Sequence, residues 1–101
     1  MSLYDDFLEF EAKYFRLKDP SYLVPNGRVD MRVYDELRRL NRYKTKLSSK
    51  KYCMDNTVFI EAVVCFYKLL CICKEYNMNT PKIHYPPLVQ DHIKVLEVMD
   101  S

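Results

Sequence analysis

The segment Val58–Cys73, VFIEAVVCFYKLLCIC, decides the fold. It is apolar nearly all the way round a helix, with Glu61 and Lys68 as its only charged residues. A helix is expected from about Thr57 to Tyr76, capped by Asp55 or Asn56. Glu61, Lys68 and Glu75 stand seven residues apart, close to two helical turns, so they share one narrow stripe. A helix with one thin wet edge and apolar flanks is expected at the centre of a core. The two charges break the run, so a membrane span of about 20 apolar residues is not expected.

Working outward, the chain supplies three further helices to cover this one. Upstream, Leu3, Phe7, Phe10, Tyr14 and Leu17 recur at four–three spacing and predict a helix from about Ser2 to Leu17. Ser2 and Asp5 form a short capping-box pattern at its start. Tyr4, Leu8 and Phe15 make a second apolar stripe, with Glu11 between the two. Pro20, Pro25 and Asn26-Gly27 break the helix into an ordered loop, and Tyr22, Leu23 and Val24 are expected to pin that loop to the core. Asp30 then caps a second helix, from Met31 to about Leu47. Downstream, Pro81, Pro86 and Pro87 favour an extended link, and Pro87 suits the first position of a last helix reaching about Met99. On that helix Leu88, Val89, Ile93, Val95, Leu96 and Met99 gather on one side, with His92 among them. The fold class is therefore all-α: one domain over residues 1–101, a small bundle of about four helices around the apolar third.

Composition agrees. The 101 residues include one glycine, which argues against hairpin turns and phosphate-binding loops. The chain is long enough to bury one core without metal or disulfide staples. Abundant Lys and Tyr beside a single Gly fit an AT-rich coding sequence of viral or parasite type. No signal peptide opens the sequence, and three of the four cysteines (Cys65, Cys71, Cys73) lie in the apolar run, so reduced thiols and an intracellular setting are expected. On a helix, residues two apart point about 160° away from each other, so Cys71 and Cys73 do not converge on one zinc. With no C-x-x-C pair, no Cys–His spacing and no marked carboxylate pair, neither enzymatic activity nor a metal or other cofactor is expected. Cys53, in a polar break, is the expected exposed thiol, and His92 the expected core or interface histidine.

The formal charge of +2 hides an uneven distribution. Residues 31–51 carry eight bases and two acids, while the flanking blocks each carry six acids and four bases. On a helical wheel Val33, Leu37, Leu40 and Leu47 share one arc, with Tyr34 at its edge. Arg32, Arg38, Arg39, Arg42 and Lys46 share the opposite arc. Asp35 is placed to pair with Arg38 or Arg39. Lys44 falls on the apolar arc, where it must either snorkel outward or mark an early helix end near Tyr43.

Two readings of function follow. The favoured one is a non-enzymatic protein-interaction or assembly module that binds a partner helix or a second copy of itself. Its surface would be the surplus aromatic stripe of Tyr4, Leu8 and Phe15, since interface cores favour Tyr and Phe. The alternative is a nucleic-acid-binding domain using the basic surface of Arg32, Arg38, Arg39, Arg42 and Lys46.

Overall fold

The computed structural model describes residues 2–19 and 30–100. Four helices follow in order: α1 (Leu3–Lys13), α2 (Met31–Leu47), α3 (Asn56–Glu75) and α4 (Pro87–Asp100). A short 3-10 turn, Phe15–Lys18, follows α1. The described residues contain no strand. The expected all-α bundle is what forms, with α3 as its central helix, packed against α1, α2 and α4. The loop expected over Pro20–Gly27 lies outside the described residues.

Each helix begins and ends for an identifiable reason. Ser2 and Asp5 form a reciprocal capping box that closes the start of α1. Asp30 accepts from the Arg32 N–H at 2.8 Å and Asp55 from the Val58 N–H at 3.1 Å, which caps α2 and α3. At the end of α3, Asn77 takes φ 56°. The Met78 N–H then reaches the Cys73 carbonyl and the Asn77 N–H the Lys74 carbonyl. This is a Schellman stop, made by a residue whose short polar side chain tolerates the left-handed region. After Tyr14 the chain tightens into the 3-10 turn, so α1 is shorter than the four–three spacing suggested. Leu17 still reaches the core from that turn.

The core is built around α3, twelve of whose residues are buried. Phe66 lies edge-on to both Phe7 and Phe10, with ring centroids 6.1 and 5.1 Å away. Such pairs add about 0.5–1.5 kcal/mol beyond their area. Val33, Leu40 and Leu47 of α2 are buried in the same core, and Val89 and Ile93 of α4 add to its cover. The link before α4 is extended and wraps the core, as expected. Ile83 is buried, and the His84 N–H donates to the Tyr14 hydroxyl at 2.9 Å.

Length and composition alone make α3 long and apolar enough to cross a membrane. The expectation that Glu61 and Lys68 disqualify it was too strict, since two charges do not bring the rest of the helix below that mark. In this fold the apolar surface is taken up by neighbouring helices, with 67 % of the most apolar window buried.

Candidate interaction surfaces

Of the three residues expected to form an aromatic stripe, Tyr4 is half-buried against the core, Leu8 is partly covered, and Phe15 is 58 % exposed. They do not continue one helical stripe. Helix α1 stops at Lys13, and Phe15 belongs to the tighter turn beyond it. A wheel drawn through residue 17 assumes a register that the backbone abandons at Tyr14.

Helix α4 departs from expectation in the other direction. Its core contacts are made by Val89 and Ile93, with Leu96 partly buried beside them. Leu88, Val95 and Met99 were expected on the same covered side, yet they are 40, 59 and 74 % exposed. His92 lies on this stripe and is also exposed, so it is not a core histidine. The reason is geometric: α4 rests mainly on one neighbour, α3, which covers only one of its two apolar stripes. The residues 88, 92, 95 and 99 recur at 4–3–4 spacing, which puts them in one line along the helix.

On α2 the five expected basic residues all lie on the exposed side. The structure divides them. Arg32 is held by Asp30 at 2.8 Å and by Glu75 of α3 at 2.6 Å. Arg38 pairs with Asp35. Arg39 forks onto the two carboxylate oxygens of buried Glu36, at 2.8 and 3.2 Å. Arg42 and Lys46 have no acid partner among the described residues. The Lys46 ammonium lies 4.6 Å from the centre of the Tyr52 ring, and that of Lys51 lies 5.3 Å from it.

Lys44 takes neither course expected of it. Helix α2 continues to Leu47, and Lys44 turns inward to donate to Glu11 of α1 at 2.7 Å. Lys18 reaches the other oxygen of the same carboxylate at 2.9 Å. Burial alone would raise the Glu11 pKa, but the hydrogen bonds and charges of Lys44 and Lys18 outweigh it and hold the carboxyl below its ordinary value. A buried acid between two lysines from two other elements locks α1, the 3-10 turn and α2 together. Glu11 was legible only as a polar residue between two apolar stripes. Its partners stand 7 and 33 positions away, beyond the reach of a local pattern.

Tyr67, Tyr85 and the four cysteines are buried or half-covered. A recess of about 1040 Å³ beside the end of α3 is lined in part by Tyr67, Cys71, Tyr85 and Asp100. Tyr67 donates to Asp100 at 2.7 Å. Burial pushes the Tyr67 and Tyr85 phenols and the Cys71 thiol up, although the contact with Tyr67 partly opposes the shift at Cys71. These groups are therefore neutral near pH 7, and a neutral thiol is a weak nucleophile. Cys65 and Cys73 are buried, while Cys53 and Cys71 are half-covered. Among the described residues no group of three His, Cys, Asp or Glu side chains is gathered as a metal site would need. Comparison with protein-family models, with curated proteins and with solved structures finds no match.

Proposed function

We propose that the domain is a non-enzymatic assembly module that pairs with a second copy of itself through α4. The observation that carries this reading is the exposed stripe Leu88–His92–Val95–Met99. Its 4–3–4 spacing is the same read in either direction. Two copies laid antiparallel therefore meet as an isologous pair, Leu88 against the partner copy's Met99 and His92 against its Val95. Asp91 borders the stripe, and Lys94 lies farther round the helix. The aromatic stripe of Tyr4, Leu8 and Phe15 is less suited to the role, because two of its members are already partly covered and the third is out of register.

Sedimentation equilibrium tests the reading. The wild-type chain is expected to show concentration-dependent dimers. The Leu88→Glu/Met99→Glu variant sets glutamate against glutamate at both ends of the pair and is expected to be monomeric with an unchanged helical circular dichroism spectrum. The Leu88→Lys/Met99→Glu variant sets lysine against glutamate in the same register and is expected to dimerise again. A wild-type chain that stays monomeric at high concentration overturns the reading. So does a glutamate variant that dimerises as well as the wild type.

A further inference from the structure

The cations at the far end of α2 form a cluster that no acid among the described residues answers. Arg42 and Lys46 stand one turn apart on the helix, and Lys50 and Lys51 follow in the turn that leads to α3. All four are exposed, and none makes an ion pair among the described residues. Every other cation of residues 31–51 is tied to a carboxylate: Arg32 to Asp30 and Glu75, Arg38 to Asp35, Arg39 to Glu36, and Lys44 to Glu11. Like charges one helical turn apart repel. The helix dipole compensates a cation only within the last turn, so it accounts for Lys46 and its immediate neighbours but not for the whole set. The Tyr52 ring gathers the ammoniums of Lys46 and Lys51 over itself, which concentrates the charge without neutralising it.

We propose that Arg42, Lys46, Lys50 and Lys51 form a phosphate-contacting surface for a nucleic-acid backbone. The inference goes beyond the α4 pairing and depends on a different element. The chemistry favours this class of partner over two others. A membrane-surface helix lays an apolar face into the lipid boundary, but the apolar face of α2 is spent on the core, with Val33, Leu40 and Leu47 buried. A protein interface needs a desolvated apolar centre, and the Tyr52 ring that Lys46 and Lys51 share is already partly buried and covered by their charges. A nucleic-acid backbone asks only for cations that displace condensed counterions, whatever the base sequence.

The test uses the full chain with a labelled DNA duplex and a labelled single-stranded RNA, followed by fluorescence anisotropy from about 50 to about 200 mM salt. Four phosphate contacts predict a log–log slope of about −3.6 on the duplex and about −2.8 on the single strand. Duplex affinity is then expected to fall roughly 100-fold across that range. The Lys46→Gln/Lys50→Gln variant is expected to flatten the slope by about 2. The Lys13→Gln/Lys82→Gln variant makes the same change in net charge at exposed positions elsewhere and is expected to leave the slope alone. Circular dichroism checks that both variants stay folded. The proposal is overturned by no binding at the lowest salt. It is equally overturned if the two variants lose affinity alike, or if the chain binds phosphatidylserine–phosphatidylcholine vesicles but neither nucleic acid. The sedimentation behaviour of the Lys46→Gln/Lys50→Gln variant is expected to match the wild type, so failure here and failure of the α4 pairing are read separately.

Discussion

Lys44 and Lys46 are two residues apart on the same helix and meet opposite fates. Two residues turn an α-helix by about 200°. Lys44 thus faces α1 and ends on the buried carboxylate of Glu11, while Lys46 faces solvent and ends over Tyr52. The inward lysine is part of the structure. The outward one, with Arg42, Lys50 and Lys51, adds charge that the fold does not use. Residue type therefore says little about what a cation on α2 does, and what the neighbouring element presents to it decides the matter.

The inward side is therefore the costly one to disturb. Glu11→Ala leaves two lysines facing each other around a vacated site. Because both lysines are about a third exposed, the loss is expected below that of a fully buried pair, at about 2–3 kcal/mol in urea unfolding. A loss under about 0.5 kcal/mol would place the cluster among ordinary surface pairs. The same carboxylate gives a pH signature. Its folded pKa lies below the ordinary 4.5, so its stabilisation is present above that value and is lost as pH falls through the folded one. Thermal unfolding followed from neutral pH into acid is expected to show a smaller acid loss in Glu11→Gln than in the wild type.

Glu36 tests an intermediate case. It is buried, but its partner Arg39 is half in water. Glu36→Gln is expected to cost about 1 kcal/mol, since a hydrated guanidinium is not stranded by the change. The outward side should be nearly silent. Lys46→Gln/Lys50→Gln is expected to stay within about 0.5 kcal/mol of the wild type in stability, whatever it does to binding. A large loss there would mean that the cluster is structural after all.

Much of this architecture was legible before the structure. The Val58–Cys73 run marked the central helix, and Asp30, Asp55 and Pro87 marked where three helices begin. These signals are local, being periodicity and the chemistry of a cap. What was hidden needs a second element to be seen. A wheel places Lys44 on the apolar arc but does not show Glu11 waiting across the interface. It groups Leu88, Val95 and Met99 with Val89 and Ile93 without showing that α3 reaches only the latter pair. Phe15 was misplaced for a different reason: the helix around it gives way to a 3-10 turn at Tyr14, where no proline or glycine announces a break.

The buried thiol at the α2–α3 contact has a use as a clock. Cys65 is 3 % exposed and donates to the Glu61 carbonyl, and burial, aided by the charge of Glu36, pushes its pKa up to about 12. A thiol-specific reagent requires both access and the thiolate, and Cys65 offers neither while α2 lies on α3. Half-covered Cys53, outside the helices, is open to react first. Modification of Cys65 then waits for α2 to lift away, and its rate counts those openings. One native side chain thus reports how often the centre of the bundle breathes, with no probe added to the chain.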